Sequence, residues 1–279
     1  MFPTMITRPL LTLAATALVA VLAAVASPAG AAGPSAAPDV ARLLAEADRY
    51  RVSDENLVIE TRVQTFGRDG SPDKERLYTV YAQSGHRSLV LMRSPAEAGQ
   101  KVLMLGDDFW LLMPASQRPM RITPSQKLLG DASTGDIATL RWAEDYRATL
   151  VGEAPCDDEG GAPAAGAAAA RACWQLSLSA QRKGVSYQRI ELWVGQAHHE
   201  PVRADLYVQS DKLAKQARFI PDRPSDKATG RPTQIDAMVL RDQLGNHKET
   251  RVQYLSRQKK LLPESALNPM ALLRHPGVE

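Results

Sequence analysis

The sequence predicts a mainly β protein, a single long antiparallel sheet that curls on itself and is covered by few helices. Three observations lead there. From Leu57 onward apolar and polar residues alternate with period two, turn-forming clusters recur at short intervals, and only the stretch near residue 40 holds a clear helical period. A sheet of about ten strands twists strongly as strands accumulate. With one or two helices to cover it, its concave apolar face is hidden either by closing the sheet as a barrel or by seating a helix in its mouth. Both solutions tend to enclose a cavity.

The N-terminus places the chain before the fold begins. A lone Arg8, an apolar run from Leu10 to Ala26 and the small residues Ala29-Gly30-Ala31-Ala32 read as a secretory signal peptide over residues 1–32. The apolar run is shorter than the roughly 20 residues of a spanning helix; an uncleaved N-terminal anchor is the alternative. No cysteine lies near the cleavage region to accept a lipid. Residues 33–279 are then expected as one soluble exported domain.

Asp39 is a candidate N-cap, followed by Val40, Leu43, Leu44 and Ala47 at the spacing of an amphipathic helix. Leu57, Ile59, Thr61, Val63 and Thr65 then share one strand face, with Glu60, Arg62 and Gln64 on the other. Gly67 to Pro72, Ser84-Gly85, Gly106-Asp107-Asp108 and Gly184 supply turns between runs such as Leu77 to Ala82, Ser88 to Met92 and Val102 to Leu105. A short second helix is expected between Thr134 and Trp142. Strands follow at Tyr146 to Val151, Trp174 to Leu178, Arg189 to Val194, Pro201 to Gln209, Leu213 to Ile220, Ile235 to Arg241 and Thr250 to Leu255. The tail from Pro263 has helix-compatible pieces interrupted by prolines.

Composition narrows the function classes. Basic and acidic residues number 34 and 31, and removal of the Arg8 segment leaves 33 against 31, so no strong field draws nucleic acid or an anionic membrane. The two cysteines of an exported chain read as a disulfide, Cys156 to Cys173, closing an acidic and alanine-rich insert loop.

The strand around Trp110 is apolar on both faces: Trp110 and Leu112 on one, Phe109, Leu111 and Met113 on the other. Such a strand is buried twice, as ordinary core under a lid or as the wall of a lipid cavity. Met92, Met104, Met113 and Met120 cluster around it, and thioethers suit an adaptable apolar pocket as well as they fill gaps in a core. Arg118 and Arg121 follow directly. Either is a solvated loop charge or a guanidinium at a pocket rim that grips a phosphate or carboxylate.

The segment Lys101-Val102-Leu103-Met104-Leu105-Gly106-Asp107-Asp108-Phe109-Trp110-Leu111-Leu112-Met113-Pro114, then Ser116 to Gln126 with Arg121-Ile122-Thr123, then Leu129-Gly130-Asp131-Ala132-Ser133, resembles the LolA-like outer-membrane lipoprotein-sorting family. That family has a short apolar strand, a Gly-Asp turn, a tryptophan strand ending in proline, an Arg-Ile-Ser/Thr segment and a lead into a short helix. The resemblance extends more loosely to the strands after Val185 and the Gly245 hairpin. It implies a LolA/LolB-like open half-barrel, a curved antiparallel sheet whose concave face is closed by helices, with an apolar cavity for acyl chains.

Signatures of catalysis are missing. The sequence holds no H-E-x-x-H, no G-x-S-x-G and no Gly-rich phosphate loop, and the S-x-x-K matches at Ser71 and Ser256 lack their companions. His198-His199-Glu200 places neighbours on opposite strand faces, which suits a surface loop better than a metal site. No enzyme, metal or cofactor is expected. The expected function is a periplasmic carrier that shields an acyl chain of a lipoprotein or lipid, passing it between membrane-bound donor and acceptor proteins. Its cavity would be lined by Met104, Trp110 and Leu112, with Arg121 at a headgroup or partner. The alternative is a non-enzymatic interaction subunit of an envelope export complex, with a filled core and no cargo cavity.

Overall fold

The computed structural model describes residues 38–52, 56–67, 69–116, 118–129, 132–138, 141–156, 171–222, 232–244 and 249–273. The expected signal peptide, the insert between the cysteines and the Gly245 turn lie outside the described residues.

Helix α1 spans Val40–Arg49 and begins where expected: the Asp39 carboxylate accepts from the backbone N–H groups of Ala41 and Arg42, satisfying donors the first turn would otherwise leave orphaned. Strands follow as β1 (Leu57–Phe66), β2 (Pro72–Gln83), β3 (Arg87–Met92), β4 (Lys101–Leu105), β5 (Asp108–Leu112) and β6 (Met120–Ile122). A small hairpin of β7 (Lys127–Leu129) and β8 (Ala132–Ser133) leads into helices α2 (Thr134–Ala138) and α3 (Trp142–Asp145). The single helix expected between Thr134 and Trp142 is thus two short ones, of five and four residues. The second half runs through β9 (Tyr146–Pro155), β10 (Ala172–Ala180), β11 (Arg189–Gly195), β12 (Pro201–Tyr207), β13 (Leu213–Pro221), β14 (Ile235–Asp242) and β15 (Glu249–Lys259). Two short 3₁₀ helices, Glu264–Ala266 and Pro269–Leu273, lie in the tail.

Thirteen strands make one antiparallel sheet, in the order β6-β5-β4-β3-β2-β1-β15-β14-β13-β12-β11-β10-β9. The runs named from the sequence account for twelve of these strands; β6, with three residues, carries too little alternation to be counted. Two meanders meet where β1 pairs with β15, Val63 opposite Val252 and Thr65 opposite Thr250. The two edges, β6 and β9, do not pair with each other, so the sheet is an open half-barrel.

The alternation of β1 decides which side is inside. Leu57, Ile59, Thr61, Val63 and Thr65 are buried, while Glu60, Arg62 and Gln64 are partly exposed. The same face of the other strands contributes Tyr78, Val80, Val90, Leu176, Leu192, Phe219 and Leu240 to one continuous core. Leu43, Leu44 and Ala47 of α1, Ile137 and Ala138 of α2, and Trp142 of α3 enter that core from above. The segment that carries the chain from edge β6 to edge β9 therefore also covers the concave face. That economy is the reason so little helix is needed.

A second cluster lies on the outer face. Val58, Tyr81, Leu89, Leu91, Leu103 and Leu112 are buried there beneath Leu262, Ala266, Leu267 and Leu272 of the tail. Polar contacts fix this cover: Gln83 Nε2 donates to the Leu262 carbonyl at 3.1 Å and Lys101 Nζ to the Leu272 carbonyl at 3.2 Å. The disulfide Cys156–Cys173 joins β9 to β10 and packs with Trp193 and Val202 in a third cluster.

Candidate functional site

The concave interior is where a ligand would be received, and its covering helices set what it admits. A cavity of about 40 Å³ remains there, lined on the sheet side by Ile190, Leu206, Ala217, Phe219 and Met238 and elsewhere by Trp142, Arg51 and the polar Asp136, Asp145 and Tyr187. An apolar cavity of about 150 Å³ admits a benzene. The resting interior is therefore too small for an acyl chain unless the helices move.

Trp142 is the plug. Its ring meets the Phe219 ring edge-on, with centroids 5.4 Å apart, and the Arg51 guanidinium lies over its other side at 3.7 Å from the ring centre. Arg51 is buried. Its Nη1 is 3.3 Å from Asp48 Oδ1, while its Nε has no hydrogen-bond partner among the described residues. Asp48 in turn accepts from the backbone N–H of Ala143 at 2.7 Å, tying α1 to α3. Burial pushes the Asp48 carboxyl up to about 6, against the opposing pull of Arg51 and the backbone donors.

A second buried polar group holds α2. Asp136 takes Lys215 Nζ at 2.6 Å, Tyr187 Oη at 2.7 Å and both the backbone N–H and the hydroxyl of Ser133 at 2.8 Å. Burial alone would raise this carboxyl, but the charge and hydrogen bond of Lys215 and the donors from Ser133 and Tyr187 outweigh it and hold it below its ordinary range. Burial, reinforced by Asp136, pushes the Tyr187 hydroxyl well up, so it stays a donor. Nothing in the hydrophobic pattern foretells these polar anchors, because Lys215 and Tyr187 come from distant segments and only Ser133 is local.

The rim is closed by a third set of contacts. Arg182, in the loop between β10 and β11, bridges Asp145 of α3 at 2.6 Å and Asp107 of the β4–β5 turn at 2.7 Å. His86 Nδ1 lies 3.3 Å from the same Asp145. Gly184 N–H donates to Asp107 Oδ1 at 3.0 Å, and a Cβ on Gly184 would stand 2.6 Å from the Asp107 Cα, so only glycine allows this approach. The Gly106-Asp107 turn, read from sequence as simple turn chemistry, is thus also a clasp between the two halves of the sheet.

The sequence-derived residues fall on both sides of the sheet. Met104 faces the concave core opposite Phe109 and borders a crevice of about 20 Å³ with Val52 and Ala138. Trp110 and Leu112 face outward, into the cluster beneath the tail. The three do not line one space. Alternation along a strand separates them, as it must: Met104 pairs with Phe109, whereas Trp110 pairs with Leu103. Arg121 lies across from Trp110 on β6, 5.5 Å over its ring, and forms an ion pair with Asp108. It is exposed, on the outer rim. Arg51, Trp142 and Asp136 line the interior cavity and Lys215 pairs with Asp136; they were missed because a charge in a single segment reads as solvated when its distant partner is unknown.

The histidine pair is structural. His199 Nδ1 contacts Glu46 Oε2 at 2.5 Å, the His198 carbonyl accepts from Tyr50 Oη at 2.5 Å, and buried Glu200 pairs with Arg171. Hydrogen bonds from Arg42 and then His199 lower the Glu46 carboxyl to about 2. Among the described residues no cluster of three or more His, Cys, Asp or Glu side chains has a metal-holding arrangement.

An open antiparallel half-barrel with helices in its mouth defines the LolA-like fold class. A LolA-superfamily protein from Nitrosomonas europaea has this structure with a TM-score of 0.70 at 24% identity, over 83% of this chain and 98% of that one. A domain assigned to outer-membrane lipoprotein sorting from Vibrio parahaemolyticus matches with a TM-score of 0.62 at 15% identity, over 84% and 98%. A DUF1329-family protein from Desulfovibrio piger gives 0.61 at 21%, over 83% and 97%. A family model described as "Uncharacterized protein" matches residues 84–274, and the chain belongs to that family. No curated protein matches it in sequence.

Proposed function

We propose that this protein is a periplasmic carrier that takes an acyl chain of a lipid or lipoprotein against the concave wall of its half-barrel, by withdrawal of α2 and α3. The observation that carries the reading is the wall itself. Ile190, Leu206, Ala217, Phe219 and Met238 form an apolar surface at the cavity, where α2 and α3, nine helical residues in all, share the cover with α1. Buried Arg51 lines that cavity, and its Nε, without a hydrogen-bond partner among the described residues, offers an acyl carboxylate or phosphate a charge-assisted hydrogen bond. Burial at about 0.8 kcal/mol per CH₂ gives a dozen methylenes enough to offset displacement of Trp142 and still release the cargo. Binding and release are the whole mechanism, with no chemical step. The fold of the LolA-superfamily and sorting-domain structures supports this class of function, although shared fold does not carry shared cargo.

The small size of the cavity and the buried Asp136–Lys215 pair favour a second reading, an interaction subunit of an envelope complex whose core stays filled. One experiment separates the two. The protein is purified from the periplasm and analysed by native mass spectrometry, before and after incubation with phospholipid and fatty acid, beside Phe219→Asp. The carrier reading expects bound acyl species that the folded variant loses. A spectrum free of lipid after incubation sinks it and leaves the interaction subunit; displacement of a fluorescent fatty acid from the wild type checks the result without any variant.

A further inference from the structure

The outer face of the sheet carries a second opening. A groove of about 250 Å³ crosses β12 to β15, lined by Arg203, Arg218, Arg241 and Arg251, with Asp205 and Glu249 as the acidic side chains. The strand register explains why the arginines converge. Arg203 lies opposite Arg218, Arg218 opposite Val239 and Val239 opposite Arg251, so three guanidinium side chains fall in one cross-strand row. Arg241 stands two residues along β14 on the same face.

The row runs against the usual preference for opposite charges across strands. Like charges directly opposite on neighbouring strands are destabilising. Arg203 is held in place regardless: its guanidinium stacks on Trp193 at 3.4 Å and its Nε donates to the Cys156 carbonyl at 3.1 Å. Glu249 compensates weakly, 3.4 Å from Arg241 and 3.7 Å from Arg251 in exposed pairs of little worth. Four guanidinium groups against two carboxylates leave the groove cationic. Between Arg218 and Arg251 the short side chain of Val239 leaves a hollow that two longer neighbours flank.

We propose that this groove is an anion site for a phosphate-bearing ligand, its phosphate seated over Val239 between Arg218 and Arg251. Planar guanidinium forks match phosphate oxygens bidentately, and a doubly charged group displaces the loose Glu249 pairs. Asp205 and Glu249 inside the groove favour one discrete oxyanion over a diffuse negative surface. A lipid headgroup and a soluble phosphate compound share this chemistry. The site lies on the face opposite the acyl wall and stands whether or not the interior takes lipid.

The test uses the purified full chain with inorganic pyrophosphate in calorimetric titrations, and phosphatidylglycerol or phosphatidylcholine vesicles in sedimentation, at fixed salt. The variants are Arg218→Gln and Arg251→Gln, with Arg42→Gln on α1 as control. Saturable pyrophosphate binding that weakens about tenfold or more in each groove variant, and not in the control, supports the site. Binding to phosphatidylglycerol vesicles with the same dependence assigns a lipid headgroup, and pyrophosphate binding without it assigns a soluble ligand. Absence of both, equal binding by the groove variants, or binding only to a polyglutamate peptide overturns the proposal. Both arginines are solvent-facing, and unchanged thermal unfolding of the variants excludes loss of fold as the cause.

Discussion

Lys215 Nζ lies 2.6 Å from Asp136 Oδ2, an ion pair under the helices that ties strand β13 to the start of α2. Each partner's side chain is nearly inaccessible, so neither charge can be removed alone without stranding the other. Lys215→Met is expected to destabilise the protein by about 3 to 5 kcal/mol, because Asp136 is left as an uncompensated buried charge. Adding Asp136→Asn to it should recover part of that loss. Urea denaturation of the single and double variants measures both, and a single variant within 1 kcal/mol of wild type contradicts the role given to the pair.

Asp48 makes stability depend on pH in the unusual direction. Its folded pKa is raised from 3.8 to about 6 by burial, so between those values the folded chain holds a proton that the unfolded chain has released. Its contribution therefore grows as pH falls from about 7 to 4, by up to about 3 kcal/mol. Asp136 acts oppositely: its pKa is lowered, so its contribution is present above the unfolded value and is lost as pH falls through the folded one. Asp48→Asn should be less stabilised than wild type on going from pH 7 to 4.5. Equal changes in urea midpoint for the two proteins would count against the assignment.

The clasp at Asp107 controls access to the interior in the carrier reading. Gly184→Ala forces a Cβ against the Asp107 backbone, and overpacking of this kind costs about 1 to 3 kcal/mol. Arg182→Ala removes both ion pairs without a clash. Both variants should bind an environment-sensitive apolar dye or a fluorescent fatty acid faster in stopped flow than wild type. Unaltered uptake rates would mean that entry does not pass this rim.

The disulfide closes a segment of sequence separation 17, and in the chain-entropy model its loss costs about 3 kcal/mol. Cys156→Ser combined with Cys173→Ser should lower the urea midpoint accordingly. Reduction of the wild type should reproduce the variant, and a midpoint that does not move would show that neighbouring β9 and β10 pairing alone fixes this end of the sheet.

The tail is a cover as much as a terminus. Leu267 and Leu272 bury Leu103 and Leu112 on the outer face. Leu272→Ala is expected to cost about 2 to 5 kcal/mol, as for other buried leucines. A cost below 1 kcal/mol would show the tail to be loosely applied.

Twelve of the strands, the first helix with its Asp39 cap, the doubly apolar character of β5 and the cysteine pairing were legible in the sequence. Each is a local property: alternation, a capping side chain, or two cysteines in one chain. The LolA-like half-barrel was legible through the segment around Trp110, whose turn and strand signals are contiguous. Only the tertiary structure decided that Trp110 and Leu112 face the tail while Met104 faces the core, since which side of a sheet is concave depends on its accumulated twist and on what covers it. Only it could place Arg51 on Trp142 and Lys215 on Asp136, or align Arg203, Arg218 and Arg251 in one row. Those relationships depend on strand register and on a chain crossing from one sheet edge to the other, and no periodicity within a single segment encodes the partner across the gap.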